Sequence, residues 1–376
     1  MNTNSFYSGF KNKKVLITGH TGFKGGWLAL WLSHLGAKVY GYSLPSPFSP
    51  SLYETLQLEK VIHNEEGDVR DGKKILNSIS RIEPDVIFHL AAQSLVGESY
   101  VSPLQTVDTN VMGTVNVMEA VRISCIRTAV VIVTSDKCYQ NKEWFYGYRE
   151  DDPLGGYDPY SASKGAAEIL VSSWRNSFFH PGRIRQHGVR IATARAGNVI
   201  GGGDWSIGRI VPDCMRALMN EDVIEVRHPE ATRPWQHVLE PLSGYLLLAS
   251  KLMQDNTGEY CQAFNFGPSV QSNKSVKELV EKIIHFWGDG AWKHIAPSLG
   301  QHEASLLHLS IDKAYHQLHW SPKWNFDETL SKTVEWYKAS RFDTSSLIDF
   351  TIKQIESYQS IVHPKVISSE RELATS

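Results

Sequence analysis

Short apolar runs alternate along this chain with longer segments in which apolar residues recur at helical spacing. The run at 14–18 predicts a buried strand. Phe23, Trp27, Trp31 and Leu35 then form one stripe of an amphipathic helix that is closed by Gly36. The same alternation continues. Further strands are predicted at 39–42, in a short strand that ends with Gly67–Asp71, and at 85–90, 129–134, 189–195 and 264–267. The alternation predicts an α/β fold with a doubly wound, Rossmann-type parallel sheet.

The pattern becomes shorter and mixed after about residue 207. A helix at 212–219, a strand at 223–226 and helices at 276–287 and 327–340 predict a smaller mixed α/β C-terminal lobe. We therefore expect a dinucleotide-binding domain and a substrate lobe. The expected domain is 1–197 with a returning segment at about 235–265, the lobe is 198–234 with 266–360, and 361–376 is a frayed tail.

Composition narrows the class of protein. Charged residues make up 21% of the 376 residues, hydrophobic residues 41%, and the net charge is -2. These values are typical of a soluble globular protein and do not suggest nucleic-acid or membrane partners. The N-terminus lacks the apolar core of a signal peptide. Because the four cysteines are widely spaced, they favour reduced thiols in the cytoplasm over a disulfide or metal framework.

The first turn carries three glycines in the spacing G-x-x-G-x-x-G, at Gly19, Gly22 and Gly25. The turn lies between a strand and a helix. Glycines there permit close backbone approach, so that a pyrophosphate can lie at the helix N-terminus. The sequence therefore predicts a dinucleotide site.

The second strand favours NAD over NADP. Ser43 is the residue nearest to the place where an acid usually binds the ribose, and there is no arginine to hold a 2′-phosphate. Asp68 is a candidate acceptor for an adenine amino group. The alternative role is a helix N-cap. The sequence favours this role about equally for Asp71 and less for Asp68. Small residues at Ala91 and Ala92 allow backbone to pack close to a cofactor.

His20 and Lys24 lie inside the glycine turn. Their side chains could point to solvent, attract the phosphates, or crowd the cofactor. We favour crowding, because backbone contacts at a helix N-terminus require close approach. Crowding predicts that NAD is held loosely and that His20→Gly binds NAD more tightly.

Chemistry is expected at the end of the strand at 129–134, where Ser135, Asp136 and Lys137 face the cleft beyond the carboxyl ends of a parallel sheet. Tyr160 and Lys164 are four residues apart and share one helix face. A lysine charge beside the phenol lowers the pKa of the tyrosine toward neutrality, as a general base requires. The alternative is an ordinary surface pair.

These residues and the motifs around them resemble the extended short-chain dehydrogenase/reductases and, within them, the nucleotide-sugar 4,6-dehydratases. The similarity extends to about residue 360. It rests on the following runs: Thr18-Gly19-His20-Thr21-Gly22-Phe23-Lys24-Gly25, His89-Leu90-Ala91-Ala92-Gln93, Asn110-Val111-Met112-Gly113-Thr114, Thr134-Ser135-Asp136-Lys137, Tyr160-Ser161-Ala162-Ser163-Lys164, Arg195-Ala196-Gly197-Asn198-Val199, Gly202-Gly203-Asp204-Trp205, Arg233-Pro234-Trp235-Gln236-His237-Val238 and His302-Glu303-Ala304.

The resemblance implies a dehydration of CDP-glucose by internal hydride transfer through bound NAD. Tyr160 takes the proton of the sugar 4-hydroxyl, Ser135 hydrogen-bonds that oxygen, and Lys164 binds the nicotinamide ribose. Asp136 is then the acid at the C6 hydroxyl. Lys137 stands where related enzymes have glutamate, so it is the first candidate for the C5 base, with an electrostatic or structural role as the alternative.

The resemblance also implies the ligand contacts. Cofactor contacts are expected from Gly19, His20, Gly22, Phe23, Lys24, Gly25, Ser43, Asp68, Val69, Leu90, Ala91, Ala92, Asn110, Tyr160 and Lys164. Substrate contacts are expected from Gln93, Ser135, Asn198, Arg209, Arg233, His302 and Glu303. The planar fork of arginine suits a diphosphate, although a surface ion pair is the alternative for Arg209 and Arg233.

Two other functions remain open. A nucleotide-sugar 4-epimerase would share the fold, NAD and the Ser, Tyr and Lys residues, but would not use Asp136 as an acid. A non-catalytic NAD-sensing regulator would not need Ser135, Tyr160 and Lys164. The resemblance further implies a homodimer and a role in the synthesis of dideoxyhexoses for the O-antigen of bacterial lipopolysaccharide.

Overall fold

The computed structural model describes residues 5–296, 306–341 and 346–362. The strands are β1 (Lys14–Thr18), β2 (Lys38–Ser43), β3 (His63–Glu66), β4 (Val86–His89), β5 (Ala129–Val133), β6 (Arg190–Ala196), β7 (Val199–Ile200), β8 (Ile224–Val226), β9 (Thr232–Pro234), β10 (Gln236–His237), β11 (Ala263–Phe266), β12 (Asn273–Ser275) and β13 (Trp292–His294).

The α-helices are α1 (Ser5–Ser8), α2 (Phe23–His34), α3 (Leu52–Thr55), α4 (Gly72–Ile82), α5 (Val96–Val101), α6 (Pro103–Val107), α7 (Gly113–Ser124), α8 (Pro159–Ser177), α9 (Ile184–His187), α10 (Ile210–Met219), α11 (Leu239–Gln254), α12 (Val276–Trp287), α13 (Phe326–Ser340) and α14 (Leu347–Val362). Short 3-10 turns include Asp136–Cys138, and a π-helical turn, Asp108–Met112, leads into α7. Among the residues that the structure describes, no helix is both long and apolar enough to cross a membrane.

A seven-stranded parallel sheet forms the centre of the molecule, in the order β3-β2-β1-β4-β5-β6-β11. The register brings the carboxyl ends of the strands together, since Thr18 at the end of β1 pairs with both Tyr42 and His89. This arrangement confirms the predicted doubly wound α/β fold. The C-terminal part adds small two-stranded sheets, β7 with β10, β8 with β13 and β9 with β12.

Both faces of the sheet are buried. Successive side chains of each strand point to opposite faces, so each strand contributes to both sides of the core. Val15 and Ile17 of β1 join the cluster that contains α2, α11, α13 and α14. Leu16 between them joins the cluster that contains α4 and α7. Trp27 and Trp31 are fully buried, as the helical stripe predicts.

The predicted elements have the observed type, with boundaries that differ by a few residues. The third strand ends at Glu66, so that residues 67–71 form the loop beyond it. Asp71 is the N-cap of α4 and accepts hydrogen bonds from the backbone of Lys73 and Lys74. In the returning segment, α11 packs on the sheet and β11 extends it beside β6. The exact limits of the two domains stay a prediction.

Candidate active site

A cavity of ≈ 2580 Å³ opens at the carboxyl ends of the central strands. It is the place where open α/β sheets bind their ligands. Most residues predicted from the sequence line it: Gly19, Gly22, Phe23, Lys24, Gly25, Ser43, Asp68, Val69, Leu90, Ala91, Ala92, Gln93, Ser135, Asp136, Lys137, Tyr160, Lys164, Asn198, Arg209 and Arg233. His20 and Asn110 contact other parts of the protein, and His302 and Glu303 lie outside the described residues.

The glycine turn is built for close approach. Gly19 has a φ of +79° and packs against the backbone of Ala91, so that an added Cβ would come within 2.7 Å of the Ala91 nitrogen. A Cβ on Gly25 would lie 2.1 Å from the Gly19 carbonyl oxygen. Gly22 caps α2, whose N-terminus faces the cavity. The turn therefore fits a dinucleotide pyrophosphate, which would meet backbone N–H groups there.

His20 does not project into this turn, and the crowding expectation is wrong for its side chain. The ring is fully buried under β2 and β3, where Nε2 lies 2.7 Å from Asn64 Oδ1 and Tyr53 packs edge-on. The absence of a side chain on Gly41 makes room for the ring. Burial lowers the pKa of His20 to about 4, so the imidazole is neutral at pH 7.

Lys24 does line the cavity and is half-buried. Burial, followed by the Arg209 charge, lowers the pKa of its ammonium to about 8, while Asp136 opposes the shift. Lys164 also repels it. Lys24 thus lies between the cofactor turn and the catalytic residues rather than in bulk solvent.

Ser43 and Asp68 line the end of the cavity where the sequence predicts the adenosine of a dinucleotide. Ser43 Oγ lies 2.9 Å from Thr21 Oγ1, at the end of β2. Asp68 is held by Arg70, whose Nε donates to Oδ2 at 2.9 Å, and this bond lowers the pKa of the carboxyl. Val69 packs beside Gly113. Asp71 is the N-cap of α4, and Asp68 lines the cavity.

Asn110 and Gln93 hold the loop after β4. Gln93 N donates to Asn110 Oδ1 at 2.8 Å, and Asn110 Nδ2 donates to Ser163 Oγ at 2.9 Å. The Gln93 amide donates to the backbone of Leu95. Asn110 thus ties this loop to the helix that carries Tyr160, and its side chain is directed to the protein instead of the cavity.

Ser135, Asp136 and Tyr160 meet at the end of β5. Ser135 Oγ donates to Asp136 Oδ1 at 3.0 Å, and the Ser135 hydroxyl lies beside the Tyr160 phenol. The carboxyl of Asp136 is buried against Gly197, where an added Cβ would come within 2.5 Å of Oδ2. A hydroxyl, a phenol and a carboxyl therefore share one wall of the cavity.

The lowered pKa expected for Tyr160 is wrong. Burial raises the pKa of the phenol to about 12, and the hydrogen bond to Ser135 only partly opposes this. The Lys164 ammonium is directed to the Val133 carbonyl, at 3.5 Å. Burial lowers the pKa of Lys164 to about 8. Lys137 is half-buried on the same turn as Asp136 and lines the cavity.

Basic residues of the C-terminal part complete the wall. Arg209 Nη1 lies 3.0 Å from Asp204 Oδ2 and Nη2 lies 3.2 Å from Ser94 Oγ, so that it reaches across the cleft. Arg233 donates from Nη1 to the Thr232 carbonyl at 2.8 Å. Asn198 lies between these arginines and Asp136 along the chain, just before β7. Asp204 itself is buried, and nothing in the sequence beyond the two charges indicates that it pairs with Arg209.

Sequence reasoning also missed a buried ion pair behind the site. Glu168 and Arg195 lie 2.8 Å apart, and both side chains are almost fully buried. For Glu168 alone, the available signal was its spacing in the sequence. It is four residues beyond Lys164 and therefore lies on the face of α8 that carries Tyr160.

The parallel sheet, Ser135 beyond the end of β5, and Tyr160 and Lys164 on α8 together are typical of an enzyme of the short-chain dehydrogenase/reductase type. The family model described as GDP-mannose 4,6 dehydratase matches residues 16–333, and the chain belongs to this family. It is 49% identical over 330 residues to a CDP-glucose 4,6-dehydratase of Salmonella typhimurium, covering 88% of this chain and 92% of the relative.

Solved structures share the fold. The epimerase Mth375 of Methanothermobacter thermautotrophicus aligns with a TM-score of 0.75 at 22% identity, covering 93% of this chain and 97% of that one. DesIV of Streptomyces venezuelae, a dTDP-glucose 4,6-dehydratase solved with NAD and TYD bound, aligns with a TM-score of 0.73 at 21% identity, covering 87% and 98%.

Proposed function

We propose that this protein is an NAD-dependent nucleotide-sugar 4,6-dehydratase that converts CDP-glucose to CDP-4-dehydro-6-deoxyglucose and water. The observation that carries the proposal is the buried carboxyl of Asp136, hydrogen-bonded to Ser135 beside Tyr160. An acid at this place is needed to protonate a leaving hydroxyl, whereas a 4-epimerase has no use for it. The 49% identical relative supports the choice of CDP-glucose.

NAD is the proposed cofactor, because the glycine turn leaves room for a pyrophosphate and Ser43 and Asp68 lie at the expected adenosine end. When bound, NAD would supply the hydride acceptor and, later, the hydride donor of the internal redox reaction. Gly19, Gly22 and Gly25 would hold its phosphates, and Lys164 would hold the nicotinamide ribose. Leu90, Ala91 and Ala92 would pack along it, since all three line the same wall.

The protein side chains have separable tasks. Tyr160 removes the proton of the sugar 4-hydroxyl, and Ser135 orients that oxygen. Asp136 donates a proton to the C6 hydroxyl as water leaves, for which its carboxyl must be protonated. Lys137 is the proposed base at C5, because it faces the same cavity from the turn that carries Asp136.

The substrate diphosphate is proposed to lie between Arg209 and Arg233. Both line the cavity, and Asp204 and Ser94 already hold Arg209 in an extended position. A preorganised guanidinium loses less side-chain entropy when it binds a phosphate. Asn198 and Gln93 would complete this contact surface.

We also propose a homodimer in the cytoplasm, whose product supplies dideoxyhexoses for the O-antigen of lipopolysaccharide. Exposed apolar side chains on α5, α6 and α8 support self-association, among them Val101, Leu104 and Ile169. The four cysteines are free thiols, which is typical of a reducing compartment.

The test is incubation of the purified protein with NAD and CDP-glucose, followed by mass spectrometry of the nucleotide sugar. We expect a product lighter by one water that carries a ketone. An isomer of unchanged mass would point to an epimerase, and unchanged CDP-glucose would point to a non-catalytic NAD-binding protein. UDP-glucose and dTDP-glucose serve as controls for the recognition of the nucleobase. Conversion of either at an equal rate would contradict the cytidine assignment.

A further inference from the structure

Glu168 occupies a position that the proposed chemistry does not explain. It lies one helical turn beyond Lys164 on α8, and its carboxylate faces inward under the end of β5. Arg195 Nη2 donates to Oε2 at 2.8 Å. A buried ion pair gives little net stability compared with well-packed apolar side chains. Stability alone therefore does not account for charges at this place.

The contacts of the pair enclose the catalytic turn from both sides. Glu168 accepts hydrogen bonds from the hydroxyls of Thr134 and of Thr193, the latter at 2.8 Å. Thr134 immediately precedes Ser135. On the other side, Arg195 Nη1 donates to Tyr139 Oη at 2.7 Å. Tyr139 immediately follows the 3-10 turn Asp136–Cys138, so one ion pair holds both ends of the stretch that carries Ser135 and Asp136.

The same carboxylate compensates the charge of Lys164. The other titratable groups that face this ammonium are Lys24, His89 and Cys138. Burial lowers the pKa of Lys24 to about 8 and that of His89 to about 3, so at pH 7 the first is mainly cationic and the second neutral. Burial raises the pKa of the Cys138 thiol, which is therefore neutral as well.

Glu168 is thus the anion among these groups at pH 7. Burial works against its charge, but the Arg195 guanidinium and the hydrogen bonds from Arg195, Thr134 and Thr193 lower the pKa of the carboxyl. Burial lowers the pKa of Lys164 to about 8, and Glu168 acts in the opposite direction. Without it, the buried ammonium would lose its proton more readily.

We propose that Glu168 is a positioning residue of the active site, which supplies the negative charge that balances the Lys164 ammonium and fixes both ends of the turn that carries Ser135 and Asp136. Its role for catalysis rests on the proposed function. Its effect on Lys164 is a property of the protein alone and can be measured without substrate.

The first experiment measures the ionisation of Lys164 in the ligand-free protein. Competitive acetylation with acetic anhydride over a range of pH, read by peptide mass spectrometry, gives the pKa of individual lysines. In Glu168→Gln we expect the acid dissociation constant of Lys164 to rise about tenfold or more, because one nearby charge shifts a buried group by that amount. An unchanged value in the folded variant would overturn the proposal.

Glu240→Gln is the matched control. Glu240 is also a fully buried carboxyl group with several donors, Lys323 N at 2.9 Å, Trp324 N at 2.6 Å and Tyr358 Oη at 2.6 Å, but it lies in the first turn of α11 and does not line the cavity. This variant should lower thermal stability and leave the ionisation of Lys164 at the parental value. An equal shift of Lys164 in both variants would mean a general loss of packing and would overturn the specific role of Glu168.

Glu168→Asp separates charge from position and is the variant to use if the Gln variant does not fold. It keeps the anion, so Lys164 should titrate as in the parent. Because the shorter side chain cannot reach Thr134 and Arg195 together, kcat for CDP-glucose should fall about tenfold with little change in KM. A parental kcat would overturn the positioning role.

A parent protein that makes no product would refute the proposed function, while the acetylation result would still decide the effect on Lys164.

Discussion

Tyr160 must lose a proton to act as a base, yet burial raises its pKa to about 12 in the ligand-free protein. Ser135 and the Arg209 charge already act in the opposite direction. Positive charge brought next to the phenol lowers the pKa further, since it stabilises the phenolate. The proposed role of Tyr160 as a base therefore requires positive charge beside the phenol.

The first prediction concerns the phenol itself. Tyr160→Phe removes one hydroxyl from a buried position and should leave the fold and NAD binding intact. Turnover of CDP-glucose should fall by about two orders of magnitude or more, because general base catalysis contributes roughly that much. The measurement is steady-state product formation with NAD titration as the control for binding. Turnover within about tenfold of the parent would refute the role of Tyr160.

Asp136→Asn tests the acid of the second step. A neutral amide cannot deliver a proton to the leaving hydroxyl, so dehydration should slow more than the initial oxidation. In a single turnover, the absorbance of the reduced nicotinamide should therefore accumulate, whereas the parent should show little. Product formation at the parental rate would reject this role. The amide is nearly isosteric with the carboxyl, which limits any change in the packing against Gly197.

At the scale of single elements, the glycine turn and β2 explain why the sequence does not predict the position of the His20 side chain. The sequence places His20 next to the phosphates, but only tertiary structure reveals that Gly41 on β2 leaves a space for the ring. The strands, by contrast, are predictable, because β1, β4 and β5 each contain an uninterrupted apolar run of at least three residues. The ion pair of Glu168 with Arg195 joins residues of α8 and β6, and spacing within one helix cannot predict such a partner.

His20→Ala should consequently reduce stability instead of tightening NAD binding. The substitution removes a buried ring and its bond to Asn64, and leaves a cavity beside Tyr53. We expect the free energy of unfolding to fall by about 2 to 4 kcal/mol. Urea unfolding followed by fluorescence measures this. Lys24→Ala is the matched control from the same turn, and should change NAD affinity more than stability, since Lys24 lines the cavity.

Tighter NAD binding by a fully stable His20→Ala protein would contradict this account. It would mean that the ring enters the turn in solution. Equal NAD affinity together with a lower urea midpoint is the expected result.

At the scale of the whole molecule, buried histidines make the fold sensitive to acid. Burial lowers the pKa of His20 to about 4 and those of His89 and His237 to about 3. In the unfolded chain each would titrate near its ordinary value of about 6.5. Below that pH these three histidines therefore bind protons in the unfolded state but stay neutral in the folded state. Burial of Glu240 acts in the opposite direction, because it raises the pKa of that carboxyl to about 7.

The free energy of unfolding should thus decline as the pH falls from about 6.5 toward 4, with a slope of about 3 kcal/mol per pH unit near pH 5. Urea titrations at a series of pH values give this slope. Glu240→Gln should make the decline steeper, because it removes the opposing group. A pH-independent free energy of unfolding between 6.5 and 5 would show that these histidines are not buried as neutral rings.

The proposed dimer makes a prediction about the outer face of α5, α6 and α8. These helices pack against one another, and they expose Val101, Leu104 and Ile169 with relative exposures of 76%, 86% and 57%. Covering such a face needs a partner surface of about 600 to 1,000 Å² per subunit, and a second copy brings the same apolar side chains to a shared two-fold axis. Sedimentation of the parent should therefore give twice the chain mass of 42.3 kDa. A double variant with Leu104→Glu and Ile169→Glu should sediment as a single chain, because four carboxylates would be buried at the axis.

The matched control is Val270→Glu, which places the same charge on an equally exposed apolar residue of the C-terminal part, at 75% exposure, and should leave the dimer intact. A parent that sediments at the mass of one chain, or a double variant that remains dimeric, would place the subunit contact elsewhere or exclude it.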